Sequence, residues 1–205
     1  MDENKCDFSP MQVEVKDRLQ QLSLSIETLI KGLEHSDTNC LLNEFHHAKE
    51  KFIETESLAS TFYLKCYLAP YTDKYNELSK AISNLSHRRH GALLIVERSD
   101  PIGPFVTPGV NLAATLTHLL LESIFIPGGP LHDGAVLIQG DQIVSAGNVL
   151  PLTNRVSEQK KLGTRHRAGL GLSELTDALV IIVSEETGQA SFSLNGNLYP
   201  FSPVS

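Results

Sequence analysis

A glycine-rich turn ahead of a predicted strand carries an adjacent histidine and aspartate, His132 and Asp133, followed by Gly134 and Ala135. A carboxylate in such a turn can hold a divalent cation or take a proton from an attacking hydroxyl. The two small residues leave space for a ligand to approach the backbone. Taken alone, the segment is equally consistent with an Asp-Gly turn that simply leads into a strand.

A second polar segment, residues 163–168, reads Gly-Thr-Arg-His-Arg-Ala and precedes a run of helical spacing that begins near Leu170. Guanidinium groups and a hydroxyl at the start of a helix add charge-assisted donors to the free backbone N–H groups there, which favours a polyphosphate ligand. The alternative is a solvated basic patch, which Lys160 and Lys161 would extend. The candidate phosphate ligands are Thr164, Arg165, His166 and Arg167.

A third segment follows the predicted strand 178–183 and places Ser184, Glu185 and Glu186 before a Thr-Gly turn. Ligands commonly bind at strand ends of α/β sheets, so either glutamate is a candidate partner for a metal ion or a ribose hydroxyl. A plain turn with exposed glutamates explains the same residues equally well.

The composition describes a folded protein that repels nucleic acid. The chain has 205 residues, 41% of them hydrophobic, which is enough for a full core. Its formal net charge of -7 disfavours contact with nucleic acid and anionic lipid. No apolar run approaches the roughly 20 residues that cross a bilayer, and Asp2 and Glu3 do not begin a signal peptide. We therefore expect a cytoplasmic protein with no nucleic-acid or membrane partner, and free thiols at Cys6, Cys40 and Cys66.

Two amphipathic helices are predicted in the N-terminal part, which we assign to residues 1–70. Apolar residues recur every three or four positions across 15–33 and again across 41–66, with a polar break at 35–38. The two helices should form an antiparallel hairpin that ends near Pro70, because proline cannot continue a helix.

Residues 71–205 alternate between strand and helix patterns. Short apolar runs with β-branched members predict strands, and stretches with apolar residues at helical spacing predict helices between them. This alternation predicts an α/β domain in which helices flank a mixed, twisted β-sheet. The strands are expected at 92–96, 135–138, 143–150 and 178–183, and the helices at 75–85, 112–124 and 170–175.

Other reaction classes lack their motifs. The chain has no P-loop sequence, and residues 169–173 match neither the dinucleotide-binding glycine motif nor the nucleophile elbow of serine hydrolases. We interpret the basic run at 87–90 as the polar end of a helix, with an edge contact to ATP as the alternative.

Four segments, taken in order, resemble the diadenylate cyclase domain: residues 91–98, 131–135, 163–168 and 184–188. The resemblance spans residues 71–205, and the Asp-Gly-Ala and Arg-His-Arg motifs have the family's order and approximate separation. The N-terminal hairpin resembles that of the short, sporulation-associated members of the family.

The resemblance implies an enzyme that joins two ATP molecules into cyclic di-AMP with 3′,5′ linkages and releases two pyrophosphates. Each of two facing subunits would hold one ATP, and each 3′-hydroxyl would attack the α-phosphate of the other nucleotide, with Mg²⁺ or Mn²⁺ as cofactor. A homo-oligomer is therefore expected. One alternative is a catalytically silent regulatory protein that binds ATP or cyclic di-AMP, and such a protein would be expected to lack Asp133 or an arginine of the second motif. A second alternative is a protein that acts chiefly as an oligomeric assembly module through its helical hairpin.

The resemblance also implies roles for individual residues, with Asp133 supporting the attacking hydroxyl. Some members of the family carry a tyrosine where Val149 stands, so an aromatic contact with adenine is missing here. The implied catalytic residues are Asp133, Gly134, Ala135, Arg165, His166 and Arg167. The implied ATP-binding residues are Leu150, Thr164, Arg165, His166 and Ser184. The implied metal ligands are His132, Asp133, Glu185 and Glu186.

The N-terminal hairpin is expected to regulate the enzyme or its oligomerisation. We hypothesise that it restrains activity by fixing how subunits assemble. Ile30, Leu42, Ile53 and Leu58 lie outside the two main apolar stripes and suggest further contacts with the cyclase domain or with a neighbouring subunit. The alternative is a hairpin that only stabilises or solubilises the cyclase domain.

Overall fold

Two long helices form the predicted N-terminal hairpin. The computed structural model describes residues 9–34, 38–154 and 162–203, without the side chains of residues 34 and 38–40. Within these bounds α1 spans Ser9–Glu34 and α2 spans Thr38–Leu68, and the two helices pack against each other along their length.

The hairpin buries only part of the apolar stripe that predicts it. Leu22 and Leu29 of α1 are buried, as periodicity requires. Leu19, Ile26 and Leu33 belong to the same predicted stripe but are 45%, 46% and 61% exposed. A single α2 covers too narrow a band of α1 to enclose the whole stripe, so the hairpin presents apolar side chains to its surroundings.

The C-terminal half of α2 packs into the main core of the α/β part. Leu64 and Leu68 are fully buried in the same cluster as the central strands. Nearby, the hydroxyl of Thr61 donates to the backbone oxygen of Ser202 at 3.1 Å, beyond the last strand. The boundary between residues 70 and 71 stays a prediction, and the packing of α2 runs across it.

The prediction of free thiols is wrong at Cys66, which is disulfide-bonded. The other two cysteines, Cys6 and Cys40, lie outside the described side chains.

The remainder of the chain forms the predicted α/β domain. Its elements are α3 (Tyr75–Arg88), β1 (Ala92–Val96), β2 (Val110–Thr115), α4 (His118–Ile124), β3 (Ala135–Gln139), β4 (Gln142–Asn148), α5 (Thr164–Ser173), β5 (Leu179–Val183), β6 (Ala190–Leu194) and β7 (Asn197–Phe201).

The strands make one seven-stranded mixed sheet in the order β2-β4-β3-β1-β5-β6-β7. Only β1 and β3 run parallel, and the other neighbouring pairs of the described sheet are antiparallel. β1 and β5 lie in the middle with all five residues of each buried, which is why their sequences are continuous apolar runs and do not alternate.

Helices cover both faces of this sheet. Ala92, Leu94 and Val96 point to the face covered by α2, α3 and α4, while Leu93 and Ile95 point to the face covered by α5. The period of two along a strand thus divides one apolar run between two cores. Among the described helices, α5 is the one that packs on this second face.

Part of the predicted helix at 112–124 is wrong, since Val110–Thr115 forms the edge strand β2. This strand pairs with β4 and contains an irregularity at Ala113, whose φ is +48°. The helix α4 begins only after Thr117, whose hydroxyl caps it by accepting from Leu120 N at 3.2 Å. The leucine spacing favours a helix locally, but strand pairing across the chain decides the conformation before Thr117.

Candidate active site

Several segments predicted from the sequence lie at one edge of the sheet, which here means the line along which the central strands begin or end. The parallel strands β1 and β3 begin at this edge, and their antiparallel neighbours β5 and β4 end there. Ala92 at the start of β1 pairs with Val183 at the end of β5, and Ala135 at the start of β3 pairs with Asn148 at the end of β4. The Asp-Gly-Ala and Ser-Glu-Glu segments therefore lie on either side of β1.

An ion pair joins the second and third predicted segments. Arg165 Nη1 on the first turn of α5 lies 2.8 Å from Glu185 Oε2, just beyond β5. Arg165 is the more enclosed partner, with 26% of its side chain exposed against 61% for Glu185. Glu185, an expected metal ligand, is thus held by an arginine that is an expected phosphate ligand.

Gly91 gives the Arg165 guanidinium its space. A Cβ atom at position 91 would lie 2.4 Å from Arg165 Nη1 and 2.7 Å from its Cζ. Only a residue without a side chain leaves the guanidinium in this position. Gly91 was not among the site residues predicted from the sequence. Its position immediately before a buried strand is the feature of the sequence that could have indicated it.

The expected phosphate-binding segment forms the first turn of α5. The sequence prediction placed it ahead of the helix, near Leu170, and is wrong on this point. The helix begins at Thr164, and its N-cap residue Gly163 is extended and offers no side-chain acceptor to the first turn. The N–H of Arg167 donates to Gly163 O at 3.1 Å, whereas none of the described residues accepts from the N–H groups of Thr164, Arg165 and His166, which are available to a ligand. Thr164 is exposed at this end of the helix.

His166 sits half-buried on the same turn. Burial lowers the pKa of its imidazole, and the nearby Glu186 carboxylate opposes this shift more weakly. The net effect favours the neutral ring, which can donate one hydrogen bond and accept another. Glu186 is the second expected metal ligand of the Ser-Glu-Glu segment, and the structure places it near His166.

Arg167 points along the chain that follows β4. Its backbone oxygen accepts from Thr153 N at 3.0 Å, and its Nη2 lies 3.4 Å from Thr153 O. A Cβ on Gly171 would lie 2.2 Å from Pro151 O, so only glycine permits this close approach of α5 to the segment. The contacts place the expected adenine-binding residue Leu150 beside α5, with its side chain buried in the core.

The Asp-Gly-Ala turn needs its glycine for a reason other than the one the sequence suggested. Gly134 has a φ of +107°, and a Cβ there would lie 2.7 Å from the carbonyl carbon of Gly147 and 2.8 Å from the oxygen of Asn148. The backbone of β4, more than any ligand, requires the small residue. Asp133 is exposed at the turn, and Ala135 is buried as the first residue of β3.

The donor set of this turn fits a divalent cation that shares its ligands with phosphate. His132 Nδ1 is hydrogen-bonded to the oxygen of Gly129, which leaves Nε2 as the ring nitrogen for a metal. Among the described residues no three His, Cys, Asp or Glu side chains converge into a metal cage. The exposed Asp133 carboxylate suits an ion such as Mg²⁺, which usually takes the rest of its ligands from substrate phosphates and water, and His132 beside it offers a nitrogen donor.

Ser184 closes the turn after β5. Its hydroxyl accepts from Thr187 N at 3.2 Å, and its backbone oxygen accepts from Gly188 N at 2.9 Å. The hydroxyl proton of Ser184 is free of this turn bond and can be donated to a phosphate.

The basic run at 87–90 forms the polar end of α3, as predicted. Arg88 pairs with the buried Glu122 of α4 at 3.2 Å, and Arg89 terminates the helix in the left-handed conformation with φ +53°. Val149 stands where the resemblance leads us to expect a tyrosine in some proteins, and the residue is 62% exposed beside Leu150.

Two family models match the chain. Residues 79–198 match the model described as DisA bacterial checkpoint controller nucleotide-binding. Residues 2–71 match the model described as Diadenylate cyclase CdaS, N-terminal.

Similar proteins extend over nearly the whole chain. Diadenylate cyclase CdaS of Bacillus thuringiensis is 43% identical and aligns with 94% of this chain and 95% of its own length. Cyclic di-AMP synthase CdaS of Bacillus subtilis is 47% identical, with 93% of this chain and 89% of that protein covered. A crystal structure from Bacillus cereus, titled as a hypothetical membrane spanning protein, superposes with a TM-score of 0.79 at 43% identity and covers 94% of both chains. In this protein, none of the described helices has the length and apolar character that a bilayer span requires.

Proposed function

Because the chain belongs to the diadenylate cyclase family, we propose that it condenses two ATP molecules into cyclic di-AMP with 3′,5′ linkages and two pyrophosphates. Family membership makes the chain an enzyme of the nucleotidyltransferase kind. The observation that supports the proposal is the placement of the Asp133 turn before β3 and of the Arg165–Glu185 ion pair beyond β5, on either side of the start of β1, with the N-terminus of α5 beside that ion pair.

The triphosphate binds at the first turn of α5. Free N–H groups, the partial positive charge of the helix N-terminus and the guanidinium of Arg165 all favour an anion there. The ion pair with Glu185 holds the Arg165 side chain at this edge before ATP arrives, which reduces the ordering that binding would otherwise require. Thr164 and Ser184 add hydroxyl donors from α5 and from the turn after β5.

Asp133 acts on the attacking hydroxyl. In each transfer the 3′-oxygen of one ATP forms a bond to the α-phosphorus of the other, and the bond from that phosphorus to the bridging oxygen of pyrophosphate breaks. The hydroxyl proton passes to Asp133 and then to solvent. Two such transfers close the ring and release two pyrophosphates. Positioning of the two reacting groups supplies most of the acceleration.

The reaction requires two copies of this site. One chain contributes a single α5 N-terminus and a single Asp133 turn to the described edge, which suits one ATP. Two subunits that face each other supply the second ATP and complete the site. The enzyme therefore works as a homo-oligomer, which we place in the cytoplasm without a nucleic-acid or membrane partner.

Mg²⁺ or Mn²⁺ is proposed as the cofactor. When bound, the ion neutralises negative charge on the phosphates as it develops. His132 and Asp133 would hold it together with phosphate oxygens, and Glu186 would assist. Glu185 would take part only after exchanging Arg165 for the ion.

Incubation of the purified full chain with ATP and either metal, followed by mass analysis, tests the proposal. We expect cyclic di-AMP and pyrophosphate. The matched variant Asp133→Asn keeps the shape of the side chain and should lower turnover by about a hundredfold or more while ATP binding persists. Folded protein that binds ATP but yields no cyclic di-AMP, or only ADP or AMP, would favour a silent nucleotide-binding role instead.

The hairpin is proposed to restrain the enzyme through assembly. Its exposed apolar side chains need a partner surface, and Leu42 and Phe45 are 78% and 54% exposed on α2. An assembly that fixes the cyclase domains in any arrangement other than face to face would separate the reacting groups.

A truncation tests the role of the hairpin, and the structure decides where to cut. Removal of residues 1–70 would strip Leu64 and Leu68 from the core, whereas removal of residues 1–54 keeps them. We expect the shorter cut to give a smaller assembly with higher activity per subunit. Changed assembly with equal or lower activity would make the hairpin a scaffold and not a restraint.

A further inference from the structure

Asn148 is a polar residue that is almost completely buried, with 1% of its surface exposed. Its amide makes three hydrogen bonds. Nδ2 donates to Ala135 O at 2.7 Å, and Oδ1 accepts from Gly109 N and from Ser145 Oγ, each at 2.9 Å. A backbone oxygen can only accept and a backbone N–H can only donate, so these partners fix which way the amide faces.

The three bonds tie together the segments that border the site. Ala135 is the first residue of β3, directly after the Asp133 turn. Gly109 lies in the loop before β2, and Asn148 itself is the last residue of β4, two positions before Leu150. One side chain therefore connects the segment of the expected acid–base group to the segment of the expected adenine contact.

The backbone ladder does not fix this end of the sheet by itself. The register between β3 and β4 shifts between Ala135 and Leu137 and again in the next step. Such irregularities interrupt regular hydrogen bonding between strands. The amide of Asn148 supplies a bond to Ala135 O at the point where the ladder is irregular.

Close packing transmits this anchor to Asp133. The Gly134 Cα carries no side chain and lies so near β4 that a Cβ would be 2.7 Å from the carbonyl carbon of Gly147. The turn has no room to move toward β4, and the bond to Ala135 O prevents it from moving away. The place of Asp133 relative to Leu150 thus depends on Asn148.

We infer that Asn148 is a positioning residue for the proposed cyclase reaction: it sets the Asp133 turn against the adenine side of the site. The inference rests on the proposed function. Asn148 is buried and touches no substrate, so its effect passes through Ala135 and Gly134. Phosphate binding at α5 is a separate element of the fold and does not depend on this amide.

The variant Asn148→Asp tests the inference because it has the same shape but, when ionised, cannot donate to Ala135 O. At alkaline pH, where this aspartate is ionised, we expect the KM for ATP to change by less than about threefold and kcat to fall by roughly ten- to a hundredfold, since small displacements of reacting groups have effects of this size. A buried aspartate has a raised pKa, and its protonated form can donate as the amide does. The kcat of N148D relative to the wild type should therefore recover as the pH is lowered.

Two control variants separate positioning from stability. Asn84→Ala removes another partly buried amide. Asn84 lies on α3 and donates to Glu122 of α4 at 2.7 Å, and its loss should leave kcat unchanged. Ser145→Ala removes only one of the two donors to Asn148 Oδ1 and should lower kcat by a few fold at unchanged KM, so it carries the test if N148D does not fold. The wild-type rate measured alongside reports on the proposed function independently of the variants. Unchanged kcat in folded N148D at alkaline pH, or in S145A where N148D fails to fold, overturns the inference, as does an equal loss of kcat in N84A.

Discussion

The substitution Gly91→Ala should disable the enzyme without unfolding it. A Cβ at position 91 would lie 2.4 Å from Arg165 Nη1 and 3.0 Å from the Cβ of Glu185. Carbon and nitrogen atoms make favourable contacts at about 3.5 Å, so the guanidinium must retreat by about 1 Å. This displacement separates Arg165 from Glu185, whose present distance is 2.8 Å, and moves the guanidinium away from the place where we expect it to bind phosphate.

The expected loss of turnover is about a hundredfold, which is typical of a misplacement of about 1 Å in a positioned site. The expected change in stability is small, because the severe overlap is with the end of the flexible Arg165 side chain, and the Cβ of Glu185 has to shift by only a few tenths of an ångström. Gly91 does not have a left-handed φ, so alanine adopts its backbone without strain. Alanine also reduces the conformational entropy of the unfolded chain, which offsets part of the cost of the overlap. The free energy of unfolding should therefore change by less than about 1 kcal/mol.

Initial rates of cyclic di-AMP formation over a range of ATP concentrations, with thermal melts of the same samples, measure both effects. Gly103→Ala is the matched control, since a Cβ there meets no atom within 4 Å, and it should retain the wild-type rate. A Gly91→Ala protein with wild-type turnover would refute the placement of Arg165 or its role with phosphate. A large loss of stability would refute the argument that only a flexible side chain has to move.

Two further predictions concern stability. Leu68→Ala should lower the free energy of unfolding by about 2–5 kcal/mol in denaturant titrations, since Leu68 is fully buried where α2 meets the sheet, and a smaller change would mean that α2 is dispensable for that core. Glu77 accepts from His118 N at 2.7 Å, and its bonds to the backbone and ring of His118 lower the pKa of its carboxyl. The stabilisation from the ionised Glu77 carboxylate is therefore present above the usual carboxyl pKa and is lost as the pH falls through the lowered value. The Glu77→Gln protein should be less stable than the wild type near neutral pH, and the difference should disappear in acid. A difference in stability that is independent of pH would contradict the assignment.

The parts of the fold that depend on local pattern were predictable from the sequence. The runs that became β1 and β5 are apolar throughout because both of their faces are covered. The hairpin helices followed from their spacing. The edge strand β2 was not found, because its leucine and alanine spacing also fits a helix and its conformation depends on pairing with β4. The strands β6 and β7 were also not predicted. The Asn195-Gly196 pair between them, with φ of +51° and +71°, is typical of a tight hairpin turn and could have indicated both strands.

The site was predictable as a set of segments and not as a set of contacts. The three polar segments could be recognised because each places functional groups next to a strand or helix end. The ion pair of Arg165 with Glu185, the space at Gly91 and the anchor at Asn148 arise where chain segments far apart in sequence meet. No spacing rule encodes those contacts. The metal ligands and the individual roles of the site residues remain predictions.

A labelling experiment tests the central claim, that two ATP molecules are joined to each other, most directly. The purified chain is given equal amounts of ordinary ATP and ATP with a heavy-isotope adenosine, and the cyclic product is analysed by mass. If each product contains two independently bound nucleotides, the mixed species will be twice as abundant as either pure species, and two pyrophosphates will form per product. Products that contain a single adenosine, or a cyclic dinucleotide without the mixed species, would contradict the account.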